Sequence, residues 1–276
     1  MRSIVHIPKN GNLRLLLVVF IFLFNLLKFI IKKIEKISFI FFDKIIFRRQ
    51  NLEDIIKNSG KENIIILGNS PDIDLSFIEN NKDKDIFTVN HFYDTNLTKS
   101  INPNYHMMIH RPYEKELYSD TRIEKFKKFV SLKQNTIFFL TIEWKKILGN
   151  KKNIYYLDQT ISQITNYNIS SLLKFKIFPA ISNVLISASY LSLKMKYKEI
   201  YIHGYNLHFP IYALIPHYYD ENIKKNIFEN FDTDAYKLID LTLNEWLLIK
   251  KLSNIQNSKI YSTNKTFLPI FEQHDS

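Results

Sequence analysis

Residues 63–67 read Asn-Ile-Ile-Ile-Leu, a compact run rich in β-branched side chains and apolar without a break from Ile64 to Leu67. Successive side chains of a strand point to opposite faces, so a run without polar alternation needs cover on both sides. That is the situation of a parallel strand inside a sheet layered with helices. The run stops at Gly68-Asn69-Ser70-Pro71, and Leu75–Glu79 has helical spacing. The same pattern then recurs. Strands are expected over Asp85–Val89, Tyr105–Ile109, Thr136–Leu140, Asn153–Leu157, Lys198–Ile202 and Lys259–Tyr261. Helices are expected from about Ser182 to Met195 and over Asp234–Leu252. Strands alternating with helices predict an α/β fold, a mostly parallel sheet with helices on both faces. Residues 51–276 make up this domain, opening with a short helix over Asn51–Ser59 that Gly60 would cap.

Residues 1–50 are of another kind. They carry ten Lys/Arg against two acids, a net of +8, so the remaining 226 residues carry only +3 of the chain's +11. The basic character belongs to the arm, and a nucleic-acid partner is disfavoured for the globular part. Leu15–Phe24 is continuously apolar, and the stretch Leu13–Ile31 is close to the roughly 20 residues that a spanning helix needs. Beyond it, Lys28, Lys32 and Lys36 recur at near-helical spacing with Phe39, Ile40, Phe41 and Ile45 on other faces. An N-terminal membrane-associated helix is therefore expected, with residues 13–49 meeting membrane lipids. The run Lys28-Phe29-Ile30-Ile31-Lys32-Lys33 offers no small-residue cleavage site, which disfavours a secretory signal. Lysines after the apolar core outnumber those before it, so the globular part is expected at the cytoplasmic face of a bacterial inner membrane. The alternative for the segment is a buried helix of the main domain.

The chain has no cysteine, which removes disulfides, thiolate metal sites and a cysteine nucleophile from consideration. Polar residues sit instead at three expected strand ends: Gly68/Asn69 with Ser70, Asn90, and Gly204/Asn206. In open α/β sheets the carboxyl ends of the strands form the ligand crevice. A glycine there lets backbone amides approach a phosphate, and asparagine offers both donors and acceptors for a base or a ribose. Turn chemistry alone accounts for one such end; three on one sheet point to a nucleotide pocket.

The order of these pieces resembles the bacterial sialyltransferases that use CMP-sialic acid, glycosyltransferase family 42, and related polysaccharide-biosynthesis proteins. Leu67-Gly68-Asn69-Ser70-Pro71-Asp72-Ile73 stands where that family has a strand and a Gly-Asn-Gly/Ser-Pro-Ser-Leu turn. Asn90-His91-Phe92-Tyr93 matches its Asn-x-Phe-Tyr, and Ser182-Asn183-Val184 stands in place of its Ser-Gly-Val. Tyr197-Lys198-Glu199-Ile200-Tyr201 and His217-Tyr218-Tyr219 follow, then Lys259-Ile260-Tyr261-Ser262, so that the likeness spans about residues 62–271. Three positions depart from it: Asn183 replaces a glycine, Asn206 an acid, and Glu221 a second histidine. The resemblance implies a Rossmann-like, GT-A-like variant of the α/β fold, a CMP-sugar as substrate, and a glycan or glycolipid acceptor such as lipopolysaccharide or capsule. It places Asn69, Ser70 and Asn90 on the nucleotide, Ser182 near the phosphate or sugar, and His217 near the chemistry. Gly68, Asn183, Gly204 and Asn206 complete the expected nucleotide-binding set.

Transfer from such a donor passes through an oxocarbenium-like centre and needs a base for the acceptor hydroxyl and donors for the departing phosphate. Histidine's unperturbed pKa lies near neutrality, so His217 is the first candidate base, with Glu221 the second. Tyr218 and Tyr219 are candidate donors to the phosphate. Asp72-Ile73-Asp74 and Asp232-Thr233-Asp234 have the Asp-x-Asp form of a metal-dependent transferase, yet each precedes an apolar helical run, where Asp serves as a cap. No cofactor and no metal are expected, and self-association is left open. Two other readings remain: a pyrophosphokinase-like nucleotide enzyme with a similar turn, and a non-catalytic membrane scaffold of polysaccharide assembly.

Overall fold

The computed structural model describes residues 60–70, 73–113, 119–157, 163–167, 169, 172, 178–204, 233–263 and 272–273, of which 233–240 and 272–273 as backbone only. Its strands are β1 (Asn63–Leu67), β2 (Asp85–Val89), β3 (Tyr105–Met108), β4 (Ile137–Thr141), β5 (Ile154–Leu157), β6 (Glu199–His203), β7 (Lys259–Ser262) and the two-residue β8 (Glu272–Gln273). The helices are α1 (Leu75–Asn80), α2 (Asp120–Leu132), α3 (Lys145–Leu148), α4 (Val184–Lys194) and α5 (Thr233–Gln256). Strand order across the eight-stranded sheet is β5-β4-β3-β2-β1-β6-β7-β8. Every pairing is parallel. This is the Rossmann-like α/β arrangement the strand pattern predicts. The expected helix over 51–59 and the basic arm lie outside the described residues. Among the described residues no helix is long and apolar enough to cross a membrane.

The Ile-Ile-Ile run is explained by two cores. Ile64 and Ile66 face a cluster that contains Val89, Met107, Ile200 and Ile202 together with α4 and, from α5, Trp246, Ile249 and Leu252. Ile65 and Leu67 face the other, with Phe77 of α1, Phe92, and Phe126 and Phe129 of α2. Strand β1 thus lies in the middle of the sheet and is dry on both sides. Helix α4 is buried from Val184 to Leu193. Its Ser189 and Ser192 hydroxyls donate to carbonyls one turn back, at 2.8 Å each, so small polar residues can lie against the sheet satisfied.

Helix α2 is not among the expected helices, although its signal is present. Ser119 caps it by accepting from the Arg122 amide, and Phe126, Phe129 and Val130 line one face. Its face meets His106 on β3. That ring is fully enclosed by Phe126, Phe129 and Phe138, and burial drives its pKa down to about 3. Strand β6 ends one residue later than expected, at His203.

The contacts on its C-terminal side fix the direction of α4. The residues after it reach the amino edge of the sheet: the Tyr197 hydroxyl lies against Asp85, the first residue of β2, and 3.2 Å from the hydroxyl of Tyr105, the first residue of β3. The Lys198 amide donates to Glu62 just before β1, at 2.7 Å. Eleven helical residues rise about 16 Å, the length of a five-residue strand. The N-terminus of α4 is therefore at the carboxyl edge, over the strands β1, β2, β3 and β6 that it packs upon.

Candidate functional site

The strand order reverses direction at β1. The chain builds outward from β1 through β2 to β5, then returns to the other side of β1 as β6. Ligands of open α/β sheets bind outside the carboxyl ends of the strands at such a switch point. Here the strand ends there are Gly68-Asn69-Ser70, Asn90, and His203-Gly204.

The two glycines hold β1 and β6 together past their last paired residues. The Gly68 amide donates to the His203 carbonyl at 2.8 Å and the Ser70 amide to the Gly204 carbonyl at 2.9 Å. A Cβ on Gly68 would lie 2.3 Å from the Gly204 carbonyl oxygen, and one on Gly204, whose φ is +69°, would lie 2.6 Å from Ile73 Cγ1. This differs from the expected role of Gly68. Its amide is committed to the neighbouring strand and its missing side chain serves backbone approach, where the sequence suggested approach of a phosphate.

Asn69 and Asn90 are brought together by register. Leu67 pairs with Thr88, so two residues on Asn69 falls opposite Asn90. Asn90 has by then left the strand, with φ of +47°, and opens a 3-10 turn over Asn90–Asp94. Left-handed backbone at a non-glycine residue costs energy and is tolerated best by asparagine. Both Asn69 Oδ1 and Asn90 Oδ1 are buried and have no hydrogen-bond partner among the described residues. A buried carbonyl oxygen left without a donor is expensive, and two at adjacent strand ends form an acceptor pair that a hydroxyl or amino group would satisfy. Ser70, on the β6 side of Asn69, is buried.

His203 ties this loop to the sheet. Its Nε2 accepts the Asp74 amide at 3.0 Å, its Nδ1 lies 2.6 Å from Thr263 Oγ1, and its ring stacks on Phe77 with centroids 4.8 Å apart. Thr263 Oγ1 itself donates to the Ile202 carbonyl, so it accepts from His203, which fixes the neutral tautomer with the proton on Nδ1. Burial pushes the ring's pKa below its ordinary value, consistent with that state. Asp74 is the N-cap of α1, its carboxylate accepting Ser76 N–H at 2.8 Å and Ser76 Oγ–H at 2.7 Å. This is the capping role expected of that aspartate. Among the described residues no group of three His, Asp or Glu is placed to hold a metal ion.

Ser182 and Asn183 stand at the start of α4. Asn183 is its N-cap, accepting the Leu185 amide at 2.8 Å. Ser182 has a partner that sequence reasoning missed, Glu245 on α5. That carboxylate is fully buried and accepts the Ser182 amide at 3.0 and 3.1 Å and the Ser182 hydroxyl at 2.5 Å. Burial raises the Glu245 pKa, and the Ser182 hydrogen bonds pull it back only in part. A separation of 63 residues hides such a pair from any local pattern. Thus Gly68, Asn69, Ser70, Asn90, Ser182, Asn183 and Gly204 all lie at the carboxyl edge. Asn206, His217, Tyr218, Tyr219, Glu221, Asp72 and Asp232, with the side chain of Asp234, lie outside the described residues.

No protein-family model and no curated protein matches the sequence. Solved structures are similar in fold. The sialyltransferase CstII from Campylobacter jejuni, in complex with a substrate analogue, cytidine-5'-monophosphate, is 14% identical with a TM-score of 0.47, over 78% of this chain and 86% of that one. The monofunctional alpha-2,3-sialyltransferase Cst-I from Campylobacter jejuni is 16% identical with a TM-score of 0.46, over 78% and 81%. The MAf glycosyltransferase from Magnetospirillum magneticum AMB-1 is 11% identical with a TM-score of 0.44, over 75% of this chain and 32% of that one.

Proposed function

We propose that the chain is a glycosyltransferase that binds a nucleotide-sugar donor, a CMP-sugar by its sequence resemblance, in the crevice at the β1/β6 switch point. The observation that carries the reading is the pair of orphaned acceptors, Asn69 Oδ1 and Asn90 Oδ1, at adjacent strand ends. They call for a ligand that donates hydrogen bonds, as a ribose or an exocyclic amine does. The backbone strain at Asn90 is of the kind that concentrates at binding sites.

In this reading the sugar passes to a glycan or glycolipid acceptor. His217 takes the acceptor hydroxyl's proton, with Glu221 the alternative base. Tyr218 and Tyr219 donate to the departing phosphate, and Asn206 completes the nucleotide contacts. Displacement proceeds without metal in this reading, with Asp74 serving as the cap of α1. Residues 13–49 hold the domain at the cytoplasmic face of the membrane.

Calorimetry of the full chain with CMP, and separately with ATP and Mg²⁺, tests the donor class. CMP binding without ATP binding is expected. ATP binding alone would favour the pyrophosphokinase-like reading, and binding of neither would favour a scaffold. Turnover unchanged by EDTA is expected; loss on chelation with rescue by Mn²⁺ would turn the Asp-x-Asp sequences into ligands.

A further inference from the structure

The loop between β1 and α1 is tied to the end of β6 through a lone pair that acid removes. The Nδ1–H of His203 donates to Thr263 Oγ1 at 2.6 Å, which leaves Nε2 to accept the Asp74 amide at 3.0 Å. A proton on Nε2 would set two N–H groups against each other and turn that bond into a repulsion. Burial and the stack on Phe77, with centroids 4.8 Å apart, hold the ring in this orientation. Its neighbours offer little to a charged ring. Leu67 pairs beside it on β1, the Thr263 hydroxyl follows β7, and among the described residues the one charge acting on it is the Asp74 carboxylate. Burial outweighs that carboxylate, so the anchored ring takes up a proton only below the ordinary histidine value of 6.5.

We propose that His203 is a positioning residue of the crevice: neutral, it holds the Asp74 amide and with it the loop that carries Asn69 and Ser70, and protonated, it releases that loop. The consequence for binding rests on the proposed function of the crevice as the nucleotide site. An anchored ring is harder to protonate than a released one. The tie is therefore at full strength above about pH 6.5 and is lost as the pH falls from there through the lowered value. Asp74 does not titrate in this window, because the Ser76 hydroxyl and amide hold its carboxyl below its ordinary 3.8. Ligand affinity scales with the fraction of molecules whose loop is anchored. Acid thus weakens binding through a side chain that does not itself touch the ligand.

Two variants separate the acceptor from its titration. His203→Gln supplies an uncharged acceptor that acid does not remove, and His203→Leu supplies none. Hydrogen exchange of the segment around Asp74, taken relative to α4 in the same full-length chain, reads the anchor without any ligand. Between about pH 7.5 and about pH 5.5 the parent is expected to show a rise of roughly fivefold or more in that relative exchange. His203→Gln should show no such rise, and His203→Leu the raised level at both ends of the range. CMP titrations over the same range are expected to lose about tenfold more affinity in the parent than in His203→Gln. The difference is the quantity read, because any other group that titrates there, the CMP phosphate included, contributes equally to both. Relative exchange in the parent that does not change with pH would overturn the proposal, and that measurement needs no variant. Equal pH dependence of CMP affinity in the parent and His203→Gln would overturn it as well. A chain that loosens in acid as expected yet binds CMP at neither pH keeps the anchor and loses the nucleotide reading.

Discussion

Asn90 combines two properties that separate variants can pull apart: a left-handed backbone and a buried acceptor without a partner. Replacement by alanine would remove the amide and also raise the cost of the backbone, mixing the two effects. Asn90→Gly removes the amide and relaxes the backbone. It is expected to leave stability within about 1 kcal/mol while weakening CMP binding by roughly 5–30-fold, the loss of about 1–2 kcal/mol of hydrogen bonding. His217→Ala is expected to do the reverse, keeping CMP affinity and lowering turnover by about 10²–10⁴-fold, as loss of a general base does. Calorimetry with CMP and turnover on the two variants tells these roles apart. If Asn90→Gly binds CMP like the parent, the asparagine pair is not the nucleotide site. If His217→Ala turns over normally, the base is Glu221 or another group.

At the scale of elements, the junction of β1 and β6 is the part most intolerant of change. It is made by two backbones meeting where the Gly68 Cβ would be, 2.3 Å from the Gly204 carbonyl oxygen. Backbone cannot yield as a flexible side chain does, so Gly68→Ala must push the strand ends apart and break the hydrogen bonds that the Gly68 and Ser70 amides donate to His203 and Gly204. A destabilisation of about 2–4 kcal/mol is expected, read as a lowered midpoint in denaturant. Gly60→Ala is the control, since a Cβ there meets nothing within 4 Å. Equal midpoints for the two variants would mean that the strand ends separate at little cost. Opening the junction also moves the Asp74 amide off His203, so the loop that presents Asn69 loses its anchor.

At the scale of the whole molecule, charge and apolar runs divide near residue 50, with +8 of the net +11 in the first 50 residues. Deleting residues 1–50 is expected to move the protein from the membrane fraction to the soluble one with CMP affinity unchanged. Fractionation of cells expressing each form, followed by titration of the truncated protein, checks this. Continued sedimentation with membranes, or failure to fold, would place these residues in the main domain.

Much of the architecture was determined by the sequence alone. The run 64–67 demanded a strand buried on both faces, because no residue in it can face water without exposing an apolar side chain. The alternation downstream of it then dictated a parallel sheet, and the polar strand ends marked its carboxyl edge. Helix α2 was legible too, from Ser119 and the spacing of Phe126, Phe129 and Val130, although its polar majority conceals the apolar stripe. What only the tertiary structure decided were the partners across the chain. Strand order brought Gly68 against Gly204, His203 to the Asp74 amide across 129 residues, and Glu245 to Ser182 across 63. Local pattern records which face of an element is apolar, since each residue's burial follows from its own periodicity. A contact between two polar groups depends instead on the relative placement of two elements, and that placement is set by how the whole sheet and its helices pack.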